Sequence, residues 1–389
     1  MRTAVPPSLS ASWSPVLAAL ETGTAATLTQ LVSRPLGLWL VRSVHIDGRL
    51  DPAPLIDDTH PTADALQAHL FDELIPAAIR SRPPAAADPL RPDRSYHPED
   101  VRRWLGYLAR QMTDAGTRDW RWWHLPRHTL AASLVRPVFG LVGGLGYELL
   151  RGLVFGLPYG LVGGLVAGLA VGLGFKLTAE PKHADMRLRG RGGELGKRLA
   201  AVGLKYGLLG GLLGGLVFGL PFGLAYGLAG GLPYGLVGGL AVGITVGLGF
   251  GLAAGLAVGL VEFASSPSVA QRASSPMASL RGDRTLSIVR AVTVGLVVGL
   301  AVELAEGLTK GLTKGLTLVL IVGLIVGLTA WLTAGAWVAF RIASLWLAGR
   351  RRLPLRLMGF LQDAYRLGLL RIVGSSYQFR HAELQDHLA

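Results

Sequence analysis

The chain has 389 residues, of which 50% are hydrophobic, 16% are charged and 54 are glycine. Because the glycines recur at every fourth position, the composition excludes a collagen triple helix, and the high apolar content excludes an intrinsically disordered chain. The absence of cysteine excludes disulfides, zinc–thiolate sites and a thiol nucleophile. The net charge of +13 comes from basic residues that cluster beside apolar blocks, so we do not expect a nucleic-acid partner.

The first 134 residues predict an all-helical domain. Apolar residues at helical spacing indicate a helix over 59–80, and a second helix is expected to begin at Pro98, since the first helical position needs no N–H donor. The tryptophans that end this domain, Trp120, Trp122 and Trp123, are interpreted either as a membrane-interface anchor or as helix packing. The short apolar run at 16–20 does not predict a secretory signal, so we expect the domain in the cytoplasm.

Three arrays of a Gly-Leu tetrad occupy the middle of the chain, at about 140–177, 203–260 and 295–328. Four residues advance about 400° around an α-helix, so the glycines form a slowly drifting stripe. In water, each glycine would cost such a helix about 1 kcal/mol relative to alanine. In lipid, unpaired backbone groups cost more than glycine does, so the arrays predict transmembrane helices.

Glycines four residues apart allow helices to approach closely, as in GxxxG packing. A glycine zipper is therefore the first interpretation of the arrays, and a pore lining is the alternative. The candidate packing positions in the second array are Gly207, Gly211, Gly215, Gly219, Gly239, Gly243 and Gly247.

These patterns predict an all-α, polytopic membrane protein with three helical hairpins between helical soluble ends, and four or five spans are the alternative. The expected segments are a helical cytoplasmic domain at 1–134, hairpins at 135–177, 206–261 and 287–342, basic cytoplasmic loops at 178–205 and 262–286, and a helical tail at 343–389. The basic loops favour cytoplasmic termini. We therefore expect a multi-pass protein of the cell membrane with the lipid bilayer as its partner, and we leave a homo-oligomer open.

Three ionisable residues, Glu148, Arg151 and Glu303, interrupt the apolar arrays. An ionisable group within a membrane segment is a functional candidate, although a position in the headgroup region at a hairpin turn is the alternative. Glu148 and Arg151 lie one helical turn apart and can pair. No catalytic constellation, metal site or cofactor is predicted.

The last residues, YQFRHAELQDHLA at 377–389, resemble the F-x-H-x-x-x-Q-E/D-x-L-A signature of NACHT-type STAND ATPases. Four N-terminal stretches are similar to the helical part that follows the nucleotide-binding domain in that family: SRPL at 33–36, FDELIP at 71–76, RWLGYLA at 103–109 and GTRDW at 116–120. Actinobacterial NACHT proteins often carry Gly-Leu arrays of this kind. The chain thus resembles the C-terminal half of such a protein.

This resemblance implies that Pro35 contacts the adenine and that His381 contacts the β-phosphate of bound ADP. The alternative is that Pro35 only begins a helix and that His381 caps or packs one. A P-loop requires G-x-x-x-x-G-K-[ST], and the nearest stretch, RGGELGKR at 191–198, lacks the first glycine and the final hydroxyl. We therefore do not expect an enzyme, and the implied partner is a separate nucleotide-binding NACHT polypeptide.

The function that follows is the membrane-embedded regulatory or effector portion of a NACHT-like signalling or defence protein, non-catalytic alone. An independent channel and a passive membrane anchor are the alternatives.

Overall fold

The computed structural model describes residues 10–57, 59–85, 88–128, 275–310 and 336–389, with a few isolated positions between 201 and 331. The chain forms two compact units. One, which we name the terminal unit, joins Met1–Arg121 to Ser344–Ala389, and the other, the central unit, is Trp122–Ala343. The two ends of the sequence therefore belong to one folded body.

The N-terminal part of the terminal unit consists of short helices. They are α1 (Ser10–Thr22), α2 (Ala26–Val32), α3 (Pro35–Val41), a π-helical turn at Arg42–Asp47, a 3-10 turn at Ala53–Leu55, α4 (Ala63–Ser81) and α5 (Pro98–Asp114). The helix predicted over 59–80 begins at Ala63, because the Thr62 hydroxyl caps it by accepting a hydrogen bond from the Ala65 amide at 3.2 Å. The predicted start of α5 at Pro98 agrees with the structure.

The described helices of the middle of the chain are a 3-10 segment at Trp122–His128, α6 (Pro276–Lys310) and the start of α7 (Ala336–Gly349). A Cβ placed on Gly323 would lie 2.8 Å from the Gly295 carbonyl oxygen, and one on Gly327 would lie 2.8 Å from that of Ala291. Glycine of the third array thus allows two backbones to approach where any side chain would collide.

Buried tryptophan accompanies this glycine contact in the central unit. The Trp122 side chain is fully buried, its indole N–H donates to the Ser279 hydroxyl at 2.9 Å, and its ring packs on Phe340. Trp120 and Trp123 are each only 6% exposed. The structure thus supports packing, rather than an interfacial anchor, for all three tryptophans.

The C-terminal part of the terminal unit contains α8 (Leu357–Arg366), strands β1 (Leu370–Val373) and β2 (Ser376–Phe379), and α9 (Ala382–Leu388). The strands pair antiparallel, with Leu370 opposite Phe379. The all-α prediction is wrong at this point. The helical tail predicted over 343–389 is interrupted where α8 ends at Arg366, because Gly368 (φ 81°) and Gly374 (φ 58°) adopt left-handed conformations that turn the chain.

The terminal unit has one core shared by both ends of the sequence. Leu70 and Leu74 of α4, Leu105 of α5 and Phe360 of α8 are buried, and Trp104 meets Phe360 edge-on at 5.0 Å between ring centroids. The Trp120 amide and carbonyl exchange hydrogen bonds of 2.8 and 2.9 Å with Tyr377, which extends the β-hairpin by an isolated bridge. Segments at opposite ends of the sequence are therefore joined by backbone pairing as well as by apolar contact.

Among the residues that the structure describes, none of the helices combines the length and the apolar character that crossing a bilayer demands. The prediction of a polytopic membrane protein, and of a multi-pass location at the cell membrane, is contradicted by this finding. The longest described helix, α6, carries Arg281, Asp283, Arg284 and Arg290 within its first half. The hairpins expected at 135–177 and 206–261 lie outside the described residues, and the third is described only in part.

Candidate functional site

A cavity of about 530 Å³ lies in the terminal unit, between the start of α3 and the residues that precede α9. The α3 side contributes Arg34, Pro35, Leu36 and Trp39; α4 contributes Gln67; and the C-terminal motif contributes Arg380, His381 and Glu383. Pro35 and His381, the two residues for which the sequence implied nucleotide contacts, therefore line the same cavity although most of the chain separates them.

The α3 side of this cavity is set by two local features. Pro35 occupies the first helical position, where its fixed φ suits the helix and its missing N–H costs nothing. Trp39 follows four residues later and so lies on the same helical face. Gly37 allows α3 to pack on α2, since a Cβ at that position would collide with the Leu31 carbonyl oxygen.

The C-terminal side is held by the remaining residues of the motif. The Gln385 side chain is 1% exposed, and its amide donates to the Thr113 hydroxyl and the Thr117 carbonyl, each at 3.3 Å. Asp386 accepts two hydrogen bonds from the Arg118 guanidinium, at 2.6 and 3.0 Å. These contacts fix α9 beside the end of α5, so Gln385 and Asp386 are anchors of the fold.

His381 precedes α9 in an extended conformation, and its side chain makes no capping hydrogen bond. Its ring lies on that of Trp39, with 4.3 Å between ring centroids, and the Arg380 guanidinium lies 5.6 Å from the centroid of the same indole. The His381 Nε2 atom is buried and finds no hydrogen-bond partner among the described residues. The hydrogen-bonding capacity of this ring nitrogen is therefore unsatisfied within the described part of the chain.

The charges around the cavity favour an anion. Arg34 and Arg380 contribute two guanidinium groups, and Glu383 contributes one carboxylate. Arg34 is only loosely paired, with 3.9 Å between its Nη1 atom and Asp64 Oδ1 on an exposed surface. Burial, followed by the positive charge of Arg380, lowers the pKa of the His381 imidazole below its ordinary value. Arginine with a nearby N–H donor is a common setting for phosphate recognition.

Pro35 and His381 are the only predicted site residues that the described part of the chain places at this cavity. Glu303 lies on α6 of the central unit, and Glu148, Arg151 and the seven candidate packing glycines of the second array lie outside the described residues. Within the described ranges, no group of three or more His, Asp or Glu side chains could hold a metal ion.

Sequence reasoning did not identify Arg34, Trp39, Gln67 or Arg380 as site residues. The i, i+4 spacing of Pro35 and Trp39 was a usable signal, because it places the indole on the proline's face. The pairing of α3 with a segment near residue 380 had no counterpart in the sequence pattern.

No protein-family model, no curated protein and no solved structure matches the chain.

Proposed function

We propose that the terminal unit is the regulatory part of a NACHT-like signalling or defence system and supplies one side of a nucleotide-binding site. The observation that supports this is the shared cavity of Pro35 and His381. The family resemblance implied that Pro35 contacts the adenine and that His381 contacts a phosphate. A single nucleotide can contact both residues only if they line the same cavity.

The phosphate end of the ligand is assigned to the Arg380–His381 side of the cavity. A guanidinium there can form charge-assisted hydrogen bonds to phosphate oxygens, and the His381 imidazole, which lines the same cavity, can add another. The apolar part of the ligand is assigned to the Pro35–Leu36 side, where α3 offers a proline ring and a leucine.

The proposed module does not hydrolyse ATP alone. P-loop proteins bind phosphate chiefly through backbone amides and a lysine at a helix N-terminus, and the chain contains no G-x-x-x-x-G-K-[ST] sequence. We therefore expect ADP to bind to the chain alone only at millimolar concentration, with no ATPase activity. A P-loop polypeptide that covers the cavity should bring the affinity into the micromolar range.

Calorimetry and NMR on the full-length chain test this proposal. We expect no heat of binding at micromolar ADP, and millimolar ADP should shift the His381 imidazole resonances. In the presence of a P-loop partner, His381→Ala should weaken ADP binding by about 1–3 kcal/mol, the range for a hydrogen bond to a charged group. His60→Ala is the control, because His60 stacks on His69 and does not line the cavity. Micromolar ADP binding without a partner, or an unchanged His381 spectrum, would contradict the proposal.

A further inference from the structure

The imidazole of His381 is placed where its protonation depends on what fills the cavity. Its Nε2 atom is buried without a partner among the described residues, and its ring packs at a tilt against that of Trp39. Bulk water therefore stabilises the imidazolium less than it does at a fully exposed histidine. The His381 ring lines the cavity together with Arg34 and Arg380, so a ligand in the cavity lies beside the imidazole.

Every element around His381 contributes to its electrostatic environment. Arg34, directly before α3, and the neutral Gln67 of α4 line the cavity with His381. Arg371 of β1 and Arg380, which follows β2, carry positive charges that disfavour the imidazolium form of His381. Glu383, at the start of α9, is the one acidic group among these neighbours, and it favours the imidazolium.

Burial and the Arg380 charge together lower the pKa of His381 in the empty cavity, so the imidazole is neutral at pH 7. A phosphate dianion beside the ring opposes this lowering, because its negative charge offsets the positive charge of the arginines and stabilises the imidazolium. The free and the ligand-bound protein then differ in the number of protons they hold.

We propose that phosphate binding in this cavity is coupled to the uptake of one proton by His381, so that the site fills more readily as the pH falls. The inference rests on the proposed function and adds the regulation of the same site. The proton moves from solvent to the imidazole, and no covalent bond to the phosphate forms or breaks.

The sign and size of the coupling follow from linkage. Between the lower pKa of the free protein and the higher pKa of the complex, each bound ligand brings one proton, and affinity rises by up to about tenfold for each unit of falling pH. Above the pKa of the complex both forms hold a neutral imidazole, and the coupling disappears.

The test is an NMR titration of the full-length chain with ¹³C-labelled histidine, between pH 5 and 8.5. The probe is ADP at millimolar concentration, with adenosine, which has no phosphate, as the control. The terminal phosphate of ADP itself titrates at about pH 6, so the pH dependence of the affinity reports on both groups. The His381 resonance reports on the imidazole alone. We expect ADP to raise the His381 titration midpoint by at least one pH unit, and adenosine to leave it unchanged.

His381→Gln supplies the matched variant. Its amide can still donate to phosphate but cannot titrate, so ADP should still perturb the Trp39 indole signal while the resonance assigned to His381 is absent. If ADP perturbs neither residue in the wild-type chain, the proposed function fails. If ADP perturbs both and the His381 midpoint does not move, the coupling is refuted while the proposed function stands. The wild-type titration decides this point even if the variant does not fold.

Discussion

Replacement of Asp363 by asparagine is the sharpest stability test of the terminal unit. The Asp363 carboxylate is 2% exposed and joins α8 to the loop before α5. One oxygen accepts from the Tyr96 hydroxyl at 2.7 Å, and the other accepts from the Asp93 amide at 2.9 Å and from the Arg366 guanidinium at 3.1 Å. Both oxygens are thus engaged by donors, so an asparagine amide must turn its NH₂ toward at least one of them.

Asp363→Asn should lower the free energy of unfolding by about 3–5 kcal/mol, which is the usual cost of removing one member of a buried charged network. Tyr96→Phe removes one neutral donor and leaves the other partners, so it should cost about 1–2 kcal/mol. Because the Asp363 carboxylate and the Tyr96 hydroxyl are in contact, the variant with both substitutions should be destabilised by less than the sum of the two single effects. Asp64→Asn is the control, since that carboxylate is 89% exposed and lies 3.9 Å from its only ion-pair partner, Arg34, among the described residues. It should change stability by less than about 1 kcal/mol.

Urea denaturation followed by circular dichroism measures the free energies of unfolding, and hydrogen exchange at residues 92–97 reports local opening. Asp363→Asn should accelerate exchange of the Asp93 amide, because its acceptor is altered. If Asp363→Asn is no more destabilising than Asp64→Asn, or if the two network variants are fully additive, the reasoning about this network is refuted.

Three further outcomes are expected. Gly37→Ala should lower the free energy of unfolding of the terminal unit, measured in urea, by about 1–3 kcal/mol, because the new Cβ would collide with the Leu31 carbonyl. Gly349→Ala is the control and should change that free energy by no more than about 0.5 kcal/mol, because there is open space around Gly349. Equal effects of the two substitutions would contradict the close packing at Gly37. Gly323→Ala should loosen the contact with Gly295 and increase proteolysis within α6, and unchanged cleavage would show that the contact is dispensable. Burial lowers the pKa of His45, so as the pH falls the unfolded chain takes up a proton before the native protein does. The free energy of unfolding should therefore be highest above about pH 6.5 and decline below it, and His45→Gln should reduce that decline in urea titrations at pH 5 and 7.5. If His45→Gln leaves the decline unchanged, groups other than His45 cause it.

The helices of the terminal unit were predictable where a local signal was strong. Apolar spacing and a proline at the first helical position identified α5. The C-terminal hairpin was missed, because Leu369 and Leu370 continue the apolar pattern of α8 and a sequence does not display the positive φ of Gly368. The short strands are stabilised by contact with Trp120, a residue far away in the sequence, so local propensity could not identify them.

The Gly-Leu arrays show what periodicity alone can and cannot provide. A period of four residues predicts that glycines align along one helical face, and in the third array Gly323 and Gly327 lie close to the backbone of Gly295 and Ala291. This period carries no information on whether lipid or protein lies against the other faces of the helix. The prediction of a membrane protein depended on those other faces. For the cavity, the motif near His381 was visible in the sequence, but its proximity to Trp39 depended on tertiary contacts between the two ends.

The division of the terminal unit between the two ends of the chain constrains how the protein is made. A ribosome releases 1–121 long before it completes 344–389, and more than half of the chain is synthesised in between. Until then, Leu105 and Trp104 have no Phe360 to pack against, and Trp120 has no strand to pair with. Assembly of the terminal unit must therefore wait for residues 344–389 and be slow, since closure of so long a loop precedes the contacts that stabilise it. In the meantime the apolar surface that the C-terminal segments cover on the N-terminal helices is exposed to solvent.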